Sequence, residues 1–326
     1  INARGDAGMQ KVTSYQTEYD IDEADGEADY TTGAEELVSY QVMTNREYDS
    51  EHNILNQKIF TYTDDTAAKT LLDVQEIRSA GYTRSGVALE QAIATYVRDE
   101  TTGAYELVDA KKIYNRDVDS RGNAGESEVY KYTGTDLTVD SVLGAKDITF
   151  TDAVDRTVTL SSGFDKFGNA SSQNIYREYW NGTDYVFSEA QKVTNGSFDI
   201  HNRVLASETV TYGEGSALAR DADGNITDIT FTDYKDKQEI RTLEYDKWGN
   251  AVLQKIDTYV KDESGVEGLL DHKVVTNTYD NAEAARRGNA TVTVSERFED
   301  AEETIKIDRT TTTTAAEDFT NLGHAL

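Results

Sequence analysis

Apolar and polar residues alternate along most of this chain, and the alternation is broken at regular intervals by short polar runs. The clearest interval is Tyr245-Asp246-Lys247-Trp248-Gly249-Asn250-Ala251-Val252-Leu253-Gln254, closed by Tyr259. Alternation on both sides of a Gly-Asn reversal predicts two antiparallel strands joined by a tight turn. Asp before the turn accepts hydrogen bonds from backbone N–H groups two residues on, and Gly and Asn tolerate the left-handed conformation that the reversal needs.

The same pattern recurs. Phe164-Asp165-Lys166-Phe167-Gly168-Asn169 carries Gln173 at the place of Gln254, and Tyr48-Asp49-Ser50-Glu51-His52-Asn53 carries Gln57 and Tyr62. Tyr82 to Gly86 keeps Gln91 and Tyr96 but lacks the Asp and the Asn. Val118-Asp119-Ser120-Arg121-Gly122-Asn123 ends at Tyr132. Phe198-Asp199-Ile200-His201-Asn202 aligns as a turn one residue short. Tyr279-Asp280 is separated from Gly288-Asn289 by an insertion, and Phe319 to Ala325 aligns as a last copy. Repetition of this kind governs the reading of the whole fold.

Two kinds of unit alternate. One opens with a Gly turn, as at Gly33 and Gly103; the other opens with Ile-Thr-Phe-Thr-Asp, at Ile148 and Ile229. The full period is about eighty residues, built of two hairpin-bearing halves of about forty. The expected fold is all-β, a tandem array of antiparallel hairpins in elongated form, with a β-propeller or tandem β-sandwiches as alternatives. The expected divisions are an acidic segment 1–29, repeat pairs over 30–132, 133–212 and 213–298, and a partial repeat 299–326. Residues 133–146 and 213–227 read as turn-rich linkers, and Val12–Tyr19 and Thr310–Thr314 as strands. Ala67–Glu76 and Ala88–Val97 admit short helices, but alignment of Gln91 and Tyr96 with the repeat favours strand for the second.

Charge and composition narrow the function. The 326 residues carry 61 acidic against 32 basic side chains, a net charge of −29. Such a surface repels nucleic acid and anionic membranes, and no stretch reaches the length of a membrane-spanning helix. There is no cysteine and no proline, where a chain of this length averages about sixteen prolines. Proline is one device that blocks strand edges, so its absence suits extended sheet pairing, including pairing between molecules. Ile1 in place of Met leads to the expectation of a processed product or a fragment.

Few residues suggest chemistry. His52, His201 and His324 fall in the repeated turns, read as equivalent solvent-facing positions, and His272 lies alone in a predicted strand. No nucleophile elbow, zinc-protease, phosphate-loop or dinucleotide motif is present, so the expectation is a non-enzymatic protein. Asn169, Asn181, Asn195, Asn225 and Asn289 open Asn-x-Ser/Thr triplets at or near turns. Asp20, Asp22 and Asp25, and Asp221 and Asp223, are weak calcium candidates, although their spacing departs from an EF-hand and a turn reading of Asp221–Asn225 is favoured. Trp180 and Trp248 are candidate ligand contacts.

The Tyr-Asp-x-x-Gly-Asn turns with a closing Tyr resemble the YD repeats of Rhs-type proteins, wall-associated bacterial proteins and teneurins, from about Tyr48 onward. The resemblance implies an extracellular or cell-surface β-repeat scaffold, and the expected host is a prokaryote. Its units of about forty residues are longer than those of that family, and no associated toxin or protease domain is recognised. The expected function is a structural subunit of a fibre, tube or sheath, assembling through strand edges or repeat stacking. Partners would be further copies in a homopolymer or further repeats of a longer parent chain. A surface adhesin or glycan-binding module, and a shell fragment of a secreted toxin, are the alternatives.

Overall fold

The computed structural model describes residues 5–17, 20–21, 28–29, 35–99, 101–222 and 225–315. The strands in chain order are β1 (Met9–Thr17), β2 (Asp20–Ile21), β3 (Ala28–Asp29), β4 (Glu35–Tyr48), β5 (Ile54–Tyr62), β6 (Leu71–Tyr82) and β7 (Ala88–Arg98). Next come β8 (Tyr105–Val118), β9 (Ala124–Thr135), β10 (Phe150–Phe164), β11 (Ala170–Trp180), β12 (Tyr185–Phe198) and β13 (Val204–Tyr212). The remainder are β14 (Ala217–Arg220), β15 (Ile226–Thr230), β16 (Tyr234–Tyr245), β17 (Ala251–Lys261), β18 (Glu267–Thr278), β19 (Val292–Phe298) and β20 (Lys306–Thr313). One helical turn, α1 (Ala282–Arg286), lies in the insertion after Asp280.

Sixteen strands form one antiparallel sheet in the order β1, β4 through β13, β16 through β20. The pairs β2–β3 and β14–β15 stand apart as two-stranded sheets. The protein is therefore all-β, built of tandem antiparallel hairpins. A single sheet in sequence order has neither the separate blades of a propeller nor the two facing sheets of a sandwich. The chain divides into two compact units, residues 1–15, 37–160 and 177–188, and residues 16–36, 161–176 and 189–326.

Most expected strands are present. Ala88–Val97 lies in β7, Val12–Tyr19 overlaps β1, and Thr310–Thr314 overlaps β20. Within Ala67–Glu76, β6 begins at Leu71, so the helical option there is wrong. The Ile-Thr-Phe-Thr-Asp segments do not open strands in the same way. Phe150 opens β10, whereas Ile229 and Thr230 end β15 and the long strand starts at Tyr234. What the two segments share is their last residue: Asp152 and Asp233 both have left-handed backbones, φ 56° and 57°. Short polar side chains tolerate that conformation where a bulge turns the strand.

In the first unit, the supposed linker after β9 is a strap over the sheet. Its Leu137 is fully buried with Val74, Ala94 and Tyr96, flanked by Phe60, Leu71, Leu107, Val139 and Ile148. Beside this small core lie two buried charges, Glu76 and Arg78, both 0% exposed. Register makes room for them, because Glu76 faces Ala94 and Arg78 faces Ala92 on β7. Arg78 donates to Glu76 (3.0 Å) and to the strap carbonyls of Ser141 (2.6 Å) and Leu143 (2.8 Å). Glu76 also accepts from Arg46 (2.7 Å) and from Asp140 N–H (2.7 Å). Burial lowers the Arg78 guanidinium pKa while Glu76 opposes the shift.

In the second unit, residues 213–227 are likewise not a plain linker. They contain β14 and lead into β15, which buries Ile226 and Ile229.

Removing one partner of a buried ion pair leaves the other uncompensated, so Glu76→Ala should cost about 3–5 kcal/mol. Urea unfolding measures that loss, and limited proteolysis should then cut within 136–149, where the wild type resists. A loss below about 1 kcal/mol, the range of surface pairs, would show that Arg78 does not depend on Glu76.

Candidate functional site

The repeated turn is a five-residue loop organised by one carboxylate. In Asp246-Lys247-Trp248-Gly249-Asn250, Asp246 Oδ1 accepts from the N–H groups of Trp248 (2.9 Å) and Asn250 (2.8 Å). Its Oδ2 accepts from the Asn250 side-chain amide (2.8 Å). The main chain closes the loop through Asp246 N to Asn250 O (2.9 Å) and Gly249 N to Asp246 O (3.0 Å). The same set recurs at Asp49–Asn53, Asp119–Asn123 and Asp165–Asn169. The fourth position is left-handed in each, with φ of 86° at Gly249, 93° at Gly168, 96° at Gly122 and 69° at His52.

Two turn assignments change. The Asp199 turn is not short. Asn202 takes the left-handed fourth position (φ 64°), and Arg203 takes the fifth, with its Nε on Asp199 Oδ2 at 2.7 Å. A guanidinium thus replaces the Asn amide, which alignment by residue type does not reveal. Gly288 and Asn289 do not close an Asp turn either. Gly288 (φ 78°) ends the helical turn α1, donating to Ala285 O, while Asn289 N donates to Ala284 O. A left-handed glycine after a helix is the usual helix stop.

The histidines are not equivalent. His52 is a fourth-position residue whose Nδ1 lies 2.5 Å from Asp6 Oδ1. His201 is a half-buried third-position residue whose N–H donates to Asp199. His272 is buried in β18 against its cross-strand partner Asp257, at 2.6 Å. His324 and the Phe319–Ala325 copy lie outside the described residues.

Sequence reasoning saw the recurring glutamine but not its role. Gln57, Gln91, Gln173 and Gln254 each donate across their hairpin to the residue twelve positions earlier, Asn45, Ser79, Ser161 and Thr242, at 2.7 to 3.4 Å. The constant spacing was the available signal. Neighbouring hairpins are stitched at the same level. Tyr82, Tyr245 and Tyr279 donate their hydroxyls to the carbonyls of Ile54, Val204 and Ala251, the first residues after the preceding turns. Asn115, Asn195 and Asn277 donate to Ala88, Ala170 and Ala251 in the same way.

The candidate ligand contacts are less open than expected. Trp180 is half-buried and packs edge-on against Tyr185, with ring centroids 5.0 Å apart. Trp248 is half-buried, with the Arg286 guanidinium 5.8 Å from its ring. Among the calcium candidates, Asp221 forms the favoured turn, its carboxylate taken by Asn225 N (2.8 Å) and Nδ2 (3.0 Å). Asp20 is in β2, and Asp22, Asp25 and Asp223 lie outside the described residues. Among the described residues, no group of three or more acidic, His or Cys side chains is placed to hold a metal ion. No protein-family model and no curated protein matches the chain.

Hydrogen bonds to an ionised carboxylate depress its pKa. At Asp119 the Asn123 N–H, then the Asn123 amide, bring it to about 2, below the ordinary value of about 3.9. A depressed acid stabilises the fold above its unfolded pKa and loses that contribution as pH falls through its folded pKa. The melting-temperature gap between wild type and Asp119→Ala should therefore be full at pH 7 and close between about pH 4 and pH 2. A gap of equal size at both ends would mean that the carboxylate charge does not hold the turn.

Proposed function

We propose that this chain is a non-enzymatic structural subunit of an extracellular or cell-surface fibre, tube or sheath, assembling through the edges of its sheet. The supporting observation is the last strand. All eight residues of β20 are exposed, and among the described residues no strand covers its outer edge. Thr314 N donates to Thr291 O, which fixes the alternation along β20. Thr310 and Thr312 turn their main-chain groups to β19, while Arg309, Thr311 and Thr313 present theirs outward. An edge of this kind is a template for strand addition unless charge, bulge or proline blunts it. Thr310–Thr313 carries no charge, and the whole chain has no proline.

The cell-surface setting rests on the YD-repeat resemblance, whose members are scaffolds of that kind. The non-enzymatic reading rests on the carboxylates themselves, since those in the turns are committed to backbone N–H groups. The net charge of −29 sets a repulsion between copies, so assembly should strengthen with salt.

Electron microscopy and sedimentation over a wide concentration range test the reading, with regular filaments or tubes expected. Thr311→Pro, which deletes an outward N–H, should abolish assembly while changing the melting temperature little. Thr312→Pro deletes a bond to β19 and should lower the melting temperature instead. A wild-type chain that stays monomeric at every concentration and salt would contradict the proposal.

A further inference from the structure

Among the described residues, the two end strands of the sheet each carry the markers of one arm of a hairpin. In the interior, hairpins of the second kind consist of β6–β7, β10–β11 and β16–β17. First arms of both kinds carry an aspartate opposite the preceding strand at a fixed place: Asp73 faces Thr61, Asp155 faces Lys131 and Asp236 faces Thr211, as Asp109 faces Thr95 and Asp271 faces Thr258. In β20, Asp308 faces Arg297 at that same place, next to the same register shift. β20 is therefore a first arm.

β1 is a second arm. Second arms begin just after a left-handed fourth position, with an alanine carbonyl that accepts from the next strand's Asn. Ala88, Ala170 and Ala251 do this for Asn115, Asn195 and Asn277. Ala7 does it for Asn45 at 2.8 Å, and Gly5 has φ 93°, matching Gly86, Gly168 and Gly249 at 81°, 93° and 86°. Three residues after that alanine the interior copies have Gln91, Gln173 and Gln254, and β1 has Gln10. Eight residues after it, β7 and β17 have Tyr96 and Tyr259, and β1 has Tyr15.

We propose that β20 of one copy pairs with β1 of a second copy, antiparallel and head to tail, completing a second-kind hairpin between molecules. This rests on the assembly reading above and specifies its surfaces. The interior hairpins dictate the register. Val74 faces Tyr96 and Lys237 faces Tyr259, while Ser79 faces Gln91 and Thr242 faces Gln254. Carried to the end strands, those offsets put Arg309 opposite Tyr15, Thr311 opposite Thr13 and Thr314 opposite Gln10.

Three independent features agree with that register. Gly8 O accepts from Asn45 N, so along β1 the residues facing away from β4 are Lys11, Thr13 and Tyr15. These meet Thr313, Thr311 and Arg309, the residues whose main-chain groups face outward on β20. The side chains also match: Thr314 gives Gln10 the hydroxyl that Ser79, Ser161 and Thr242 give their glutamines. Arg309 meets Tyr15 as Lys237 meets Tyr259, where the ammonium sits 4.3 Å from the ring centroid. Finally, Tyr15 is 53% exposed, whereas Tyr259, with its first arm present, is half-buried. The two strands also suit contact between copies of an acidic chain, because Asp308 is their one acidic residue.

The chain has no cysteine, so cross-linking reads the pairing directly. Directly opposed residues of a hydrogen-bonded pair have Cα atoms about 5.5 Å apart, within disulfide reach. Full-length Thr13→Cys and Thr311→Cys variants are mixed dilute, concentrated, and oxidised with oxidised glutathione. A disulfide-linked dimer in the mixture, absent from either variant alone and from Thr13→Cys mixed with Thr312→Cys, is the expected result. A dimer from Thr13→Cys alone or Thr311→Cys alone would replace head-to-tail pairing with like-to-like pairing and overturn the proposal. Filaments in the wild type without the mixed disulfide would overturn this pairing and leave the assembly reading standing. A monomer throughout, without disulfide, would remove both.

Discussion

One capping side chain per turn sets the geometry on which the hairpins depend, a carboxylate at Asp49, Asp119, Asp165, Asp199 and Asp246 and the Thr83 hydroxyl between β6 and β7. An aspartate that holds the second and fourth following N–H groups on one oxygen, and the fifth residue's side chain on the other, fixes a reversal of constant length. Constant length fixes the register of the two arms, and register decides which side chains face each other. The glutamine that reaches back twelve residues and the tyrosine hydroxyl that reaches the neighbouring hairpin both need that register. Where the amide partner is lost, as at Asp199, a guanidinium supplies the same bond and the spacing survives.

A sheet of this kind has little core. The apolar cluster beneath the strap gathers around Val74, Ala94, Tyr96 and Leu137, and the buried charges beside it are matched to one another and to strap carbonyls. Cohesion comes from neighbour upon neighbour, as in other repeat proteins. Among the described residues, β1 and β20 are the strands with a neighbour on one side alone. Their markers match those of an interior hairpin, with Gln10 and Tyr15 on one side and Asp308, Arg309 and Thr314 on the other.

The hairpin class was legible because its signals are local. Asp, Gly and Asn at fixed offsets announce turns, and alternation announces strands. What was illegible depended on partners distant in sequence. Nothing near Ser141 or Leu143 indicates that Arg78 would seek their carbonyls, so the strap read as a linker. Alignment by residue type also misplaced Asn202, because the backbone asks for a left-handed conformation at that position while the sequence shows only an amide. Gly288 and Asn289 looked like a turn because a helix stop and a tight reversal use the same residues. Trp248 looked like an open contact because the segment that covers it, α1, comes from the insertion.

Amide hydrogen exchange along β20 tests the central claim most directly, because the account assigns alternate residues to two different neighbours. In dilute protein the Thr310 and Thr312 amides should be protected by β19 and those of Thr311 and Thr313 should exchange freely. On concentration, Thr311 and Thr313 should become protected while the other two stay as they were. Equal exchange of Thr311 and Thr313 at every concentration, under conditions where the protein assembles, would contradict assembly through this edge.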